Sequence, residues 1–162
     1  LILFSDAAAG AEPKTMLLLF MAARLEHLIK TVLPALTEGR VVICDRFDST
    51  TYAYQVVADE RPDLVPLFHS LRREYDALVL PHYILLDVSP EIGRARLEGR
   101  AEKLNHFDER SLEWHQRARE GFHDFLLEVC PKGVYNVIDA EQSPTGVLAD
   151  TLSVVRTVLA QK

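Results

Sequence analysis

The sequence carries only two cysteines in 162 residues, Cys44 and Cys130. Neither falls in a C-x-x-C spacing, which excludes the common thiolate metal sites and dithiol redox motifs, and both sit in apolar stretches where they read as small core residues. Long hydrophobic runs are also missing. No segment approaches the ~20 apolar residues of a membrane span, and no basic region precedes an apolar one at the N-terminus as it would in a signal peptide. The expectation is a reducing, cytoplasmic setting with no membrane partner. Positive charge is in short supply as well: 18 Lys and Arg face 24 Asp and Glu, a formal net charge of -6. That balance argues against gripping a nucleic-acid polymer by bulk charge, so any phosphate site has to be local. There is no internal repeat and no low-complexity linker. Residues 1–162 read as a single domain with one core.

What is present is a globular balance, 48% hydrophobic and 26% charged residues, with an orderly alternation of patterns. Three short aliphatic runs, 41–45 (V-V-I-C-D), 83–87 (Y-I-L-L-D) and 135–139 (Y-N-V-I-D), read as buried strands, each ending in aspartate. Long helical patterns separate them, and strands so separated run parallel, which makes the class α/β. The first helix opens near Pro13, with an apolar stripe through Met16, Leu19, Phe20, Ala23, Leu28, Ile29, Val32, Leu33 and Leu36, until Gly39 stops it. Pro34 is expected to kink its last turn. A second helical run covers about 62–80, a third starts at Ser89-Pro90, a fourth is capped by Ser111, and the last begins at Ser143-Pro144 and buries Val147, Leu148, Leu152, Val155 and Leu159. Three strands make a thin sheet for so many helices, and the first helix has no strand before it.

In open parallel sheets ligands bind beyond the carboxyl ends of strands, which directs attention to the end of the 41–45 run. The sequence there is D-R-F-D-S-T-T-Y-A-Y-Q, Asp45 to Gln55. A carboxylate beside a forked guanidinium, Asp45 next to Arg46, suits a metal-bound or phosphate oxygen, although a structural salt bridge would use the same pair. Upstream, Phe20 and Arg24 are four residues apart on one helix face, an aromatic plate next to a hydrogen-bond donor. Taken alone, Phe20 also fits a core and Arg24 a solvated surface.

Together these segments resemble the bacterial thymidylate kinase family. The likeness runs from F-x-A-A-R (Phe20 to Arg24) through G-x-V-V-I-C-D-R-F and S-T-T-x-A-Y-Q to L-L-D-V-S-P-E-I-G and S-L-E-W-H-Q-R-A-R-E-G-F, and so covers essentially the whole chain. The resemblance implies a parallel-sheet P-loop kinase fold with helices on both faces, and transfer of the γ-phosphate of ATP to dTMP with Mg²⁺. It further implies that Phe20 stacks on thymine, Arg24 hydrogen-bonds the base, and Arg46 holds the dTMP phosphate. Asp45 would stand near the transferred group and its metal, and Thr50 and Thr51 would contact the base. Tyr54, with Gln55 beside it, would crowd the place of a ribose 2′-hydroxyl. A lid at about 96–110 would supply cations to ATP, with Arg96 and Arg100 the candidates and Arg100 the catalytic one. A homodimer through the helix at about 14–33 is also implied.

The sequence departs from that family in three places. No G-x-x-x-x-G-K-[ST] occurs among its seven glycines, so the first strand, which would lie between 41–45 and 83–87, and the phosphate loop are expected upstream of Leu1. Either such a segment belongs to a normal enzyme, or the chain is a truncated, inactive nucleotide-binding homologue. In the lid, Asn105-His106-Phe107-Asp108 replaces an Asp-Arg followed by an apolar residue and Glu. After Gln55, V-V-A-D-E-R replaces a glycine-rich stretch and introduces Arg61. A deoxynucleoside kinase acting on thymidine itself is a third reading, disfavoured by the phosphate role of Arg46.

Overall fold

The structure, a computed structural model, describes residues 10–76, 78–98, 105–131 and 133–161. Helix α1, Pro13–His27, opens on Pro13, whose missing N–H costs nothing in a first turn. It widens into a π turn at Leu28–Val32 and resumes as α2, Leu33–Thr37. The wide turn is the form the expected Pro34 distortion takes: Pro34 donates no hydrogen bond, and the Leu33 N–H reaches back to the Leu28 carbonyl. The buried stripe of this helix is Met16, Leu17, Met21, Leu28 and Val32. It is rotated from the expected one, and Leu19 and Ile29 are exposed.

Helix α3, Asp48–Thr51, continues as a π-helical stretch, Tyr52–Ala58. A 3₁₀ turn, Pro62–Leu64, leads into α4, Val65–Asp76. Strand β1, Tyr83–Asp87, then α5, Pro90–Glu98, and α6, Leu112–Asp124, come next, the last extended by a π turn at Phe125–Val129. Strand β2, Tyr135–Asp139, precedes α7, Pro144–Ala160. The expected caps are in place, since the Ser111 and Ser143 hydroxyls accept from the Trp114 and Gly146 N–H groups, each at 3.2 Å.

β1 and β2 pair in parallel, Tyr83 opposite Tyr135 and Asp87 opposite Asp139, so both strand-terminal aspartates lie at one edge. The run at 41–45 is not a strand. It keeps a strand's alternation, Val42 packing on the core while Val41 and Ile43 are 59% and 84% exposed, but among the described residues no neighbour completes a ladder beside it. Cys44 is consequently exposed rather than in the core, whereas burial pushes the thiol of Cys130 up to about 12. Helix α7 also differs from expectation: none of its residues is buried, and Leu148, Leu152 and Leu159 stand exposed. Among the described residues no helix is long and apolar enough to cross a membrane.

The core joins α1, the 48–58 helix, α4, β1 and the end of α6 around Phe68 and Phe125. Tyr52 meets Phe68 and Tyr83 meets Phe125 edge-on, both at 5.2 Å between centroids, geometries that add about 0.5–1.5 kcal/mol each beyond area burial. Helix α6 lies close along the 48–58 helix because Gly121 has no side chain. A Cβ there would stand 2.8 Å from the Ala53 Cα and 2.9 Å from the Val57 Cβ.

Candidate active site

A cavity of about 390 Å³ opens between α1 and the 48–58 helix. Its wall contains Phe20, Arg24, Asp45, Arg46, Thr50, Thr51, Tyr54 and Gln55, so eight residues singled out from sequence meet in one place. Helical spacing explains the meeting. Phe20 and Arg24 share one face of α1, while Thr51, Tyr54 and Gln55 recur at three and four residues along the helix opposite. That helix is π-wound over Tyr52–Ala58, a form frequent at functional sites.

Arg24 is fixed at the base of the cavity. Its Nη2 donates to the Phe47 carbonyl at 2.9 Å and to Thr51 Oγ1 at 3.0 Å, and the guanidinium lies 5.2 Å over the Phe47 ring. Arg46 stands at the mouth in a left-handed backbone conformation, φ 66°, and its Nη1 donates to the Tyr54 hydroxyl at 2.8 Å. Two buried side-chain atoms of the wall, Thr50 Oγ1 and Gln55 Oε1, have no hydrogen-bond partner, and among the described residues they are the only buried side-chain polar atoms in that state. Unsatisfied buried groups of this kind cost about 1–3 kcal/mol each and are rare unless a ligand or water completes them.

Four further residues line the cavity that were given no site role from sequence: Phe47 and, from the expected lid segment, Asn105, Phe107 and Asp108. Phe107 packs on Tyr54 at 5.3 Å, and Trp114 meets the same ring at 4.7 Å. Trp114 is anchored in turn by its indole N–H donating to Asp59 Oδ1 at 2.7 Å. The ring pair His106-Phe107 flanked by Asn105 and Asp108 was the available signal. A larger cavity of about 570 Å³ adjoins the first and shares Asp45, Arg46, Thr50, Tyr54 and Asp108 with it. On its far side Asp87 receives Arg119 through two bonds of 2.7 Å, and this guanidinium holds the Asp87 carboxyl below the usual carboxylate range.

Of the lid arginines, Arg96 is not among the residues lining either cavity. Arg96 donates to the carbonyls of Ala140, Glu141 and Gln142 at 2.6, 3.1 and 3.3 Å, joining α5 to the backbone after β2. Arg100 lies outside the described residues. Arg61 is paired with Asp63 through two bonds of 2.8 Å.

The sequence matches the family profile described as Thymidylate kinase over residues 4–150. The chain belongs to the thymidylate kinase family. A thymidylate kinase of Symbiobacterium thermophilum is 38% identical over 162 residues, 99% of this chain and 73% of that protein. One from Ruegeria pomeroyi is 38% identical over 149 residues, 90% and 67% of the two chains, and one from Solidesulfovibrio magneticus is 35% identical over 165 residues, 98% and 77%. Membership in the thymidylate kinase family makes the chain a kinase of the P-loop α/β fold, of which the parallel β1–β2 pair and its flanking helices are the described part.

Proposed function

We propose that this protein phosphorylates dTMP to dTDP with ATP, and that the 390 Å³ cavity is its dTMP site. The observation that carries the reading is the convergence on one wall of an aromatic plate, two arginines and two unpartnered buried oxygens. A neutral pyrimidine requires stacking and a few placed polar groups, which Phe20, Arg24, Thr50, Thr51 and Gln55 supply. A phosphate requires a forked cation, and Arg46 stands at the mouth. Tyr54, braced by Phe107 and Trp114, presents a rigid wall to the sugar.

Phosphoryl transfer asks the protein mainly for positioning and charge cancellation. Asp45 is exposed between the two cavities and offers hard carboxylate oxygens suited to Mg²⁺. Among the described residues no cluster of three or more His, Cys, Asp or Glu forms a metal cage, which fits an ion held by one carboxylate together with substrate phosphates and water. When bound, that ion neutralises phosphate charge. Asp45 would hold it, Arg46 would orient the acceptor phosphate, and the 96–110 segment would close over the donor with Arg100. A cytoplasmic compartment is in keeping with those substrates. Leu18, Leu19 and Ile29, 42%, 41% and 51% exposed on α1 and its π turn, support a homodimer through the helix at about 14–33. Leu17 belongs to the chain's own core. A dimer mass by light scattering at micromolar concentration checks this.

A second reading, binding of dTMP without transfer, draws on the altered lid, in which Asn105-His106-Phe107-Asp108 stands where the family carries Asp-Arg, an apolar residue and Glu. A coupled ADP-release assay separates the two. Turnover with dTMP well above that with dCMP, dGMP or buffer is the expected result, and dTMP binding without ADP release would establish the second reading instead.

A further inference from the structure

Asp48 is the most deeply buried charge described, at 0% exposure, and the functional reading does not use it. Three elements meet at its carboxylate. Oδ2 accepts from Arg72 Nε of α4 at 2.8 Å, and Oδ1 accepts from the Tyr83 hydroxyl of β1 at 2.6 Å. Arg72 is itself 8% exposed, donates to Asp76 at 3.0 Å and lies 5.8 Å over the Phe125 ring. Burial, reinforced by the charge of Asp48, raises the Tyr83 phenol above its usual range and keeps it a donor.

A buried ion pair is a poor source of stability, since an apolar group of like volume would fill this core as well. What it supplies is direction. Asp48 is the first residue of the helix that carries Thr50, Thr51, Tyr54 and Gln55, and it stands two residues after Arg46. Arg46 occupies a left-handed conformation that a residue with a side chain adopts only when its surroundings impose it. Between them Phe47 is pinned by the Tyr75 ring at 5.9 Å and by Arg24.

We infer that Asp48 is a positioning residue for the phosphate end of the proposed dTMP site: clamped by Arg72 and Tyr83, it locks the turn that aims Arg46. The inference rests on the reading of the cavity as a dTMP site. Its signature is selective, because a loosened turn misplaces Arg46 first, whereas Phe20 is carried on α1 and Tyr54 and Gln55 lie further along the 48–58 helix.

The test compares dTMP with thymidine by calorimetric titration of the folded protein, below the melting temperature of each variant. Wild type is expected to favour dTMP through the charge-assisted contact, by roughly tenfold to a hundredfold. In Asp48→Asn that preference should fall about tenfold with thymidine affinity nearly unchanged, and in Tyr83→Phe, which keeps the ion pair, it should fall less. Ser143→Ala, which removes the cap of α7, should lower stability and leave the preference intact. If Asp48→Asn does not fold, Tyr83→Phe carries the test. A preference for dTMP that survives unchanged in the variants that fold overturns the inference alone. Wild type that binds neither ligand removes the dTMP reading and the inference with it.

Discussion

Arg46 offers a perturbation in which stability and function respond separately. At φ 66° its backbone lies where an L-residue is crowded by its own Cβ, a strain worth about 1–2 kcal/mol that glycine does not feel. Arg46→Ala removes the bond to Tyr54 and the contact over its ring, 5.5 Å from guanidinium to centroid, and keeps the strain. Arg46→Gly removes the same contacts and relieves it. Glycine's larger unfolded-chain entropy takes back about 0.5–1 kcal/mol, leaving Gly ahead of Ala by roughly 0.5–1 kcal/mol. For a chain of this length that is a higher Tm by about 1–4 °C. Both variants lose the same phosphate contact, so dTMP kcat/KM in both should fall roughly tenfold to a hundredfold. Arg46→Lys should recover only part of this, since an ammonium lacks the fork. Calorimetric melting with steady-state kinetics provides both readouts. Ala melting at or above Gly would refute the strain argument, and near-wild-type dTMP kinetics in either would refute the phosphate assignment.

Gly121→Ala gains about 1 kcal/mol of helix propensity but drives a methyl into the Ala53 backbone. A net loss of about 1–2 kcal/mol is expected by urea unfolding, with weaker dTMP binding because Ala53 and Val57 flank Tyr54 and Gln55. Gln55→Met replaces an unpartnered buried amide oxygen, so the ligand-free protein should be stabilised by up to about 1 kcal/mol while its affinity for dTMP falls; a loss of both would mean the amide is already satisfied. Asp87 gives a pH signature. Arg119, and after it His123, lower its pKa in the folded protein, so its contribution to stability is complete above the unfolded value of ~3.9 and disappears as pH falls through the lower folded value. Denaturation midpoints between about pH 5 and about pH 2 should therefore drop less steeply in Asp87→Asn than in wild type.

Helices and caps were legible because their signals are local. Ser111, Ser143, Pro13 and Gly39 mark boundaries through hydrogen bonds and dihedrals reaching no further than one turn. The run at 41–45 misleads for the converse reason. Its alternation is that of a strand, but a strand exists only in its ladder, and the partner is a property of the whole sheet. The stripe of α1 is ambiguous because Leu17, Leu18 and Leu19 are equally apolar, and only packing against Phe68 and Tyr52 decides which of them turns inward. The same ambiguity hid the outward face of α7.

The proposed site divides along the same line. Residues that would touch the nucleotide sit within two short segments, 20–24 and 45–55, where helical periodicity alone places them on a common wall. The residues that hold those segments in place come from 72, 83, 107 and 114, and each is joined to the site by a contact spanning 24 or more positions. One trace of this support was nonetheless written locally. Arg72 falls four residues after Phe68 and three before Tyr75, a charge set inside an otherwise apolar stripe. A charge in that setting requires a buried counter-ion, and the acid that answers it, Asp48, comes two residues after Arg46 at the start of the helix carrying Thr50, Thr51, Tyr54 and Gln55. The irregularity in the stripe of α4 therefore points across the core to the turn on which the arginine of the proposed phosphate contact is carried.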